Sequence, residues 1–185
     1  ISMGKNCALT LSTGEVLTGN LIGAAGACTG ELVFTTGMVG YTECISDPSY
    51  FGQILVFTYP LVGNYGVPEM LSGDGAPSIG FESHRAWAAG VILSSECDAP
   101  SHWTSTKNLD SWLKEQGICG ISGIDTRFLT QIIREKRPVF ARIENDQTAS
   151  GKVTTFFNPN VESVLPKVSI QTRTLYGAGP IRIGI

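Results

Sequence analysis

The side chains that could act as a nucleophile or as its base are few in this sequence. Ser, Cys and Thr can attack a carbonyl when a histidine base lies beside them, and the sequence has two histidines, His84 and His102. Arg85 follows His84, and its positive charge would favour the neutral ring. His102 precedes Trp103 ahead of a predicted helix, where a surface or capping role is equally consistent. Neither histidine has the local sequence of a catalytic triad, so no residue is predicted to be catalytic.

The cysteines and carboxylates do not predict a metal site. No two of the five cysteines have CxxC spacing, and two histidines are too few to complete a typical zinc site. Glu43 and Asp47 are four residues apart in a predicted loop, where that spacing fixes no geometry. Asp74 and Glu82 lie in or beside a long loop, and nothing there favours a metal. The cysteines at 7, 28, 44, 97 and 119 are read as reduced thiols of an intracellular protein.

Ser49 is the candidate binding residue, because it follows a turn-forming pair. Proline restricts the residue before it, so Asp47–Pro48 favours a turn from which the Ser49 hydroxyl projects. A hydroxyl held on a rigid turn can hydrogen-bond a small polar ligand. Taken by themselves, however, the residues favour a serine that only stabilises its own turn.

Composition and charge exclude several classes of protein. Of the 185 residues, 42% are hydrophobic and 16% are charged, which is unlike a disordered chain. Residues 1–110 hold 3 basic and 10 acidic residues, and residues 111–185 hold 10 and 6, so neither part indicates nucleic-acid binding. Regions of opposite charge suit docking to a protein, although ordinary solvated surfaces are the simpler explanation. No apolar run approaches the ~18 residues that cross a membrane, and no signal peptide is apparent.

The hydrophobic pattern predicts hairpin-like strands in the first half and alternating strands and helices in the second. Residues 7–22 are typical of a hairpin that turns at Gly14, and a long loop covers residues 60–80. The strand at 53–59 is apolar at nearly every position, which indicates burial on both faces. Further strands are predicted at 31–36, 88–94, 118–124 and 139–144. We therefore expect a mixed α/β or α+β domain of several layers.

Two main helices are predicted from apolar periodicity and from their end signals. The first spans 104–117, with Thr104 or Ser105 as its N-cap and a glycine at its end. The second spans 126–136 and is capped by Asp125. Its buried stripe is predicted to consist of Phe128, Leu129, Ile132 and Ile133.

The chain is predicted to divide into three parts. Residues 1–145 form a domain, and residues 146–180 are polar and punctuated by proline and glycine, which is typical of a linker. Residues 181–185, IRIGI, alternate like the opening of a strand. We therefore expect a fragment of a longer protein, cut within the first strand of a following domain.

Three segments together resemble a known family. GELVFTTGMVGYTECISDPSY (30–50), QILVFTYPLVGNYG (53–66) and IDTRFLTQIIREK (124–136) resemble the N-terminal domain of the glutaminase part of carbamoyl-phosphate synthetase. The resemblance keeps the same order over residues 7–185 and looks closest to eukaryotic enzymes of pyrimidine synthesis, in which glutaminase and synthetase are fused. It implies a β/β/α swivelling domain, with mixed sheets, that leads into a glutamine amidotransferase domain at residue 181.

The same resemblance implies a function. The family's glutaminase hydrolyses glutamine with a Cys–His–Glu triad in the following domain, so this chain would be inactive by itself. The synthetase combines the released ammonia with bicarbonate, using ATP and magnesium, in the cytoplasm. For this chain the resemblance implies no cofactor. It implies docking between the glutamine amidotransferase domain and the synthetase, glutamine binding through Ser49, and no nucleic-acid or membrane partner.

Two alternatives are open on the sequence alone. An independent hydrolase with a Cys or Ser nucleophile would need one of the histidines beside a thiol or a hydroxyl. A swivelling domain of an unrelated multidomain enzyme would share the fold but not the family.

Overall fold

A computed structural model describes residues 6–70, 78–145 and 155–172. The predicted strand at 181–185 lies outside the described residues, as does part of the predicted linker. The helices are α1 (Tyr41–Ser46), α2 (Leu109–Gln116), α3 (Thr126–Lys136) and α4 (Leu165–Val168), with a 3₁₀ turn at Pro48–Tyr50. The strands are β1 (Asn6–Leu11), β2 (Val16–Gly23), β3 (Cys28–Thr35), β4 (Gln53–Phe57), β5 (Leu61–Val62), β6 (Gly90–Ile92), β7 (Ser95–Glu96), β8 (Cys119–Ser122) and β9 (Phe140–Asn145).

Seven of these strands close into a barrel in the order β1-β2-β8-β6-β4-β3-β9. β3, β4, β6 and β8 are parallel neighbours, whereas β1, β2 and β9 join by antiparallel pairing. β5 and β7 form a separate two-stranded sheet. The mixed α/β class and the two main helices are confirmed. The expected layers differ from the structure, because the main sheet closes on itself through pairing between β1 and β9, which are far apart in sequence.

The predicted hairpin and the predicted buried strand are both present. β1 and β2 pair antiparallel, and Gly14 has a φ of +104° in the turn, a conformation that glycine adopts without strain. Along β4, Ile54 and Val56 enter one apolar cluster and Leu55 enters another, and all three are fully buried. Burial on both faces explains why this segment is apolar at successive positions.

The two apolar clusters attach helices to opposite faces of the barrel sheet. Leu129 and Ile133 of α3 pack in the first cluster with barrel residues such as Ile121. Ile45 of α1 and Trp112 of α2 pack in the second cluster. Because successive side chains of a strand point to opposite faces, the sheet contributes to both. In the ranges that the structure covers, no helix combines the length and apolarity needed to span a bilayer.

The start of α2 differs from its predicted position. Asn108, rather than Thr104 or Ser105, is the N-cap, because its side-chain oxygen accepts a hydrogen bond from the Ser111 N–H at 2.9 Å. The helix is therefore shorter at its start than expected. Asp125 caps α3 as predicted.

The buried stripe of α3 is shifted relative to the prediction. Leu129, Ile132 and Ile133 are buried as expected. Phe128, however, is 39% exposed, and Thr126 is buried instead. A helix turns about 100° per residue, so Thr126 lies almost in line with Ile133, whereas Phe128 lies ~140° away from it. Phe128 is therefore at the margin of the stripe.

α1 lies in a segment that the sequence predicted to be a loop. Gly40, with a φ of +84°, leads into the helix, and Tyr41 and Ile45 place their side chains in the core. The i, i+4 spacing of these two residues was a helical signal, but the turn-forming residues around it obscured it. Glu43 is therefore on a helix and not in a loop.

Candidate functional site

Ser49, the predicted binding residue, lies in the 3₁₀ turn that directly follows α1. Asp47 caps this turn, because its carboxylate accepts a hydrogen bond from the Ser49 N–H at 2.8 Å. Pro48 occupies the first position, where its fixed φ suits the turn and its missing N–H has no cost. Ser49 is exposed. The predicted turn is therefore present, and it holds the serine at the surface.

Ser46, at the end of α1, connects the turn to the protein interior. Its buried hydroxyl donates to the carbonyl oxygen of Thr42 at 2.8 Å and accepts from the Glu82 N–H at 2.9 Å. The Ser83 hydroxyl donates to the Ser46 carbonyl oxygen at 2.6 Å. The Trp87 Nε1–H in turn donates to the Ser83 hydroxyl at 2.9 Å. The backbone just before the capping aspartate is therefore held by a second segment of the chain.

Phe51 and Gly52 return the chain from the turn to the barrel. Phe51 forms a β-bridge with Ala88, and its ring meets the Trp87 ring edge-on, with ring centres 6.1 Å apart. The Arg85 guanidinium lies 4.0 Å from the Trp87 ring centre. Gly52 has a φ of +77°, which favours glycine, and β4 begins at the next residue. The turn is thus fixed at both ends.

Two stacked tyrosines fix the start of α1. The rings of Tyr41 and Tyr65 lie with their centres 4.2 Å apart. The Tyr65 hydroxyl oxygen accepts from the N–H groups of Gly40 and Tyr41, at 2.7 and 3.2 Å. The Tyr41 hydroxyl donates to the carbonyl oxygen of Gly66 at 2.5 Å. Burial raises the pKa of both phenols, so both stay neutral near pH 7.

The chemistry available at the Ser49 turn is that of binding. A serine hydroxyl can donate one hydrogen bond and accept others, so it suits an amide, carboxylate or amino group. The same hydroxyl is a weak nucleophile unless a base lies beside it. The Asp47 carboxylate already accepts the Ser49 N–H, which gives it a structural role in the turn.

The thiols are not placed as nucleophiles. Cys7 and Cys119 are buried in the barrel. The pKa of Cys28 lies well above its ordinary value, because its thiol is hydrogen-bonded to that of Cys119 and is removed from water. Burial also raises the pKa of Cys44, on α1. The raised pKa values keep Cys28 and Cys44 as thiols at neutral pH, whereas the hydrogen bond with the Cys28 thiol lowers the pKa of the buried Cys119.

The histidines do not complete a catalytic pair with the barrel thiols. His84 and His102 are both exposed, whereas Cys7 and Cys119 are buried. The His102 Nδ1 lies 2.7 Å from the hydroxyl of Thr104, in its own loop. The arrangement disfavours an independent hydrolase that uses these cysteines.

The carboxylates considered as metal ligands have other roles. Glu43 accepts a hydrogen bond from the Thr42 hydroxyl at 2.9 Å, and the backbone of Glu82 is bonded to Ser46. Asp74 lies outside the described residues. Across residues 6–70, 78–145 and 155–172, no three His, Cys, Asp or Glu side chains are grouped so as to hold a metal ion.

Glu96 is a half-buried carboxylate that the sequence predictions missed. Its Oε1 is buried and has no hydrogen-bond partner in the part of the chain that the structure describes. Burial, followed by the nearby carboxylates of Asp110 and Asp98, raises its pKa to about 7. The acidic residues near position 96 were a signal of charge repulsion, but the burial that contributes most to the raised pKa is a tertiary effect and is not visible in the sequence.

The barrel and its site belong to a family that sequence comparison identifies. The family model described as "Carbamoyl-phosphate synthase small chain, CPSase domain" matches residues 9–143, which run from β1 to β9. The chain therefore belongs to the carbamoyl-phosphate synthase small chain family. The resemblance seen in the sequence motifs is confirmed, and the alternative of an unrelated multidomain enzyme is excluded.

Individual relatives agree with this family and are longer than the present chain. "Multifunctional protein CAD" of Squalus acanthias is 43% identical over 168 residues, which cover 91% of this chain and 7% of that protein. "Multifunctional protein ura1" of Schizosaccharomyces pombe is 45% identical over 196 aligned residues, covering 95% and 9%. "Carbamoyl phosphate synthase arginine-specific small chain" of Chaetomium globosum is 40% identical over 167 residues, covering 90% and 36%. The chain thus spans little more than a third of this small chain and less than a tenth of the two multifunctional proteins.

Two solved structures align with this chain at low similarity. An aminopeptidase from Aneurinibacillus sp. strain AM-1 aligns with a TM-score of 0.38 at 14% identity, over 77% of this chain and 30% of that chain. A peptidase M28 precursor from Shewanella amazonensis aligns with a TM-score of 0.40 at 10% identity, over 78% and 35%. Scores this low say nothing about function.

Proposed function

We propose that this chain is the non-catalytic N-terminal domain of the glutaminase part of a glutamine-dependent carbamoyl-phosphate synthase. Its membership of the small chain family carries the proposal. In the complete enzyme the domain joins the glutaminase to the synthetase, which makes carbamoyl phosphate for pyrimidine synthesis in the cytoplasm. Glutamine hydrolysis takes place in a glutamine amidotransferase domain that follows, from about residue 181. ATP and magnesium belong to the synthetase, and this chain needs no cofactor of its own.

In this proposal Ser49 contributes a hydrogen bond to glutamine. The support is its exposed position on a turn that Asp47 caps and that Ser46 anchors. Glutamine carries amide, carboxylate and amino groups, and a hydroxyl can pair with any of them. A turn fixed before the ligand arrives loses little entropy on binding, which favours affinity.

Docking to the glutamine amidotransferase domain and the synthetase is supported by exposed apolar side chains. Met38, Val39 and Trp103 are 64%, 73% and 90% exposed. The Trp103 ring adjoins the His102 ring, which adjoins Tyr65, with centres 5.7 and 6.5 Å apart. Exposed apolar side chains that lie together are commonly covered by a partner. The closed barrel would move between its neighbours as a rigid body, which is the swivelling role proposed for it.

The contact with glutamine is tested by Ser49→Ala in the complete enzyme. We expect the KM for glutamine to rise by roughly two- to tenfold, because one hydrogen bond is worth about 0.5–1.5 kcal/mol. Ammonia-dependent synthesis should be unchanged, since it bypasses glutamine. Steady-state kinetics with each nitrogen donor measures both. Ser101→Ala, at another exposed serine, is the matched control. An unchanged KM for glutamine would remove Ser49 from the site.

The proposal also requires that the chain alone does not hydrolyse glutamine. We expect no ammonia release from glutamine by the purified chain, measured against a buffer blank. Release above that blank would instead support the independent hydrolase.

A further inference from the structure

Residues 155–168, here called the strap, lie across the outside of the barrel beside β3. The Phe157 N–H donates to the Thr29 hydroxyl at 3.1 Å. Three residues later, the Asn160 Nδ2 donates to the Glu31 carboxylate at 3.0 Å. The strap is part of the segment that the sequence predicted as a linker, and it makes specific contacts with the barrel.

The closest packing of the strap is against Gly52, at the end of the Ser49 turn. A Cβ atom placed on Gly52 would lie 2.5 Å from Cε1 of Phe157, closer than real Cβ atoms approach, and 3.1 Å from Cβ of Pro159, which is a tight contact. On its other side, the Gly52 carbonyl oxygen accepts a hydrogen bond from the Glu31 N–H at 3.2 Å. Gly52 is therefore enclosed between β3 and the strap, and a larger residue here would have to displace the Phe157 ring.

A lysine of the strap also reaches the residue next to Gly52. The Lys167 Nζ lies 5.6 Å from the Phe157 ring centre and 5.9 Å from the Phe51 ring centre. Ammonium groups at such distances are attracted to aromatic faces. The same Nζ forms an ion pair with Glu162 at 2.8 Å, within the strap. The strap thus contacts both residues that follow the turn.

The strap adds little to the apolar core. Val161 and Leu165 are 81% and 72% exposed, and α4 contains no buried residue. The family match ends at residue 143, before the strap begins. Its tight contacts are instead with the residues that set the direction of the turn, Phe51 and Gly52.

We propose that the strap is a positioning element for Ser49, acting through Phe157 and Lys167 on Phe51 and Gly52. By holding these two residues, it fixes the orientation in which the Ser49 hydroxyl meets the glutamine. This inference rests on the proposed function of Ser49. It adds that Phe157 and Lys167, which touch no ligand themselves, determine the affinity for glutamine.

The test uses Phe157→Ala in the complete enzyme. We expect the KM for glutamine to rise by roughly two- to tenfold and by no more than in Ser49→Ala, since small displacements of a binding group weaken its contact strongly. The kcat with glutamine and the rate with ammonia should stay unchanged. Lys167→Met, which keeps the stem and removes the charge, should raise the KM by about twofold. Val161→Ala, on the exposed side of the strap, is the matched control and should change nothing.

Combining the changes tests whether the strap acts through the serine. Once Ser49→Ala has removed the hydroxyl, Phe157→Ala should raise the KM no further, because coupled positions are not additive. Additive effects would overturn the inference. An equal loss of the glutamine-dependent and ammonia-dependent rates would indicate general unfolding and would also overturn the inference. A normal KM for glutamine in both Phe157→Ala and Lys167→Met would overturn it as well. If Ser49→Ala itself leaves the KM for glutamine normal, Ser49 does not contact glutamine, and the inference about the strap is then wrong as well.

Discussion

The Ser49 turn and α2 have similar caps and similar glycines, but the surroundings of these residues differ. Each is a short helical segment with a side-chain cap, Asp47 in the turn and Asn108 in α2. Each is followed by a left-handed glycine, Gly52 or Gly117. Open space surrounds Gly117, whereas the strap covers Gly52. The turn is therefore held by the strap as well as by its own hydrogen bonds, whereas no other segment packs against the position of a side chain at Gly117.

The carboxylates of the two regions also differ. Asp47 accepts a hydrogen bond from the turn that it caps. Glu96, beside the start of α2, is half-buried with one oxygen unpartnered among the described residues, and its pKa is raised to about 7. The turn thus satisfies its carboxylate locally and leaves a hydroxyl at the surface. The α2 region instead buries an acid whose ionisation opposes folding.

The largest effect should come from adding a methyl group at Gly52. Gly52→Ala combines backbone strain with overlap against Phe157, so we expect a loss of about 2–5 kcal/mol in the free energy of unfolding. Gly117→Ala has the backbone strain without the overlap, so its expected loss is about 1–2 kcal/mol. Urea denaturation of both variants measures the difference. Equal losses would show that Phe157 moves aside at no cost in stability and that the two glycines are equivalent.

The next effect concerns the charge of Glu96. Its pKa in the folded chain, about 7, is above the ordinary value of 4.5, so the fold holds the proton more tightly than the unfolded chain does. This contribution to stability is complete below pH 4.5 and is lost as the pH rises through 7. Because Glu96 is partly exposed, solvent screens part of this effect, so we expect Glu96→Gln to stabilise the chain by about 1–2 kcal/mol at pH 8 and to have little effect at pH 4.5.

Thermal denaturation at the two pH values measures this effect. Glu115→Gln, which removes an exposed ion pair with Lys107, is the control for a surface change and should stay within about 0.5 kcal/mol. If Glu96→Gln stabilises the chain no more at pH 8 than at pH 4.5, each measured against the parent chain, then the charge of Glu96 does not oppose folding. Glu96 would then resemble Asp47.

The contrast between the two regions also shows what could be predicted from the sequence. The turn at Asp47–Pro48 and the cap at Asp125 were predicted correctly, because each depends on neighbouring residues. The buried face of β4 was predicted from a continuous apolar run for the same reason.

The features that were missed depend on contacts between distant segments. Closure of the barrel needs β1 to pair with β9, and the raised pKa of Glu96 depends in part on Asp110 of α2, 14 residues further along the chain. The role of Gly52 is similar, since a glycine in a sequence gives no sign that Phe157 will cover it. Local patterns therefore located the turn that carries Ser49 but not the elements that hold it in place.

The smallest effect compares the cap of the turn with the cap of α3. Asp47→Ala and Asp125→Ala each remove a side-chain acceptor from a backbone N–H, so each should lower the free energy of unfolding by about 1 kcal/mol. The KM for glutamine of the complete enzyme should rise, by roughly twofold, in Asp47→Ala alone, because only that cap bonds the backbone of Ser49. Equal KM values in the two variants would mean that the capped geometry of the turn does not matter for glutamine. The specific role of Ser49 would then rest on its exposure alone.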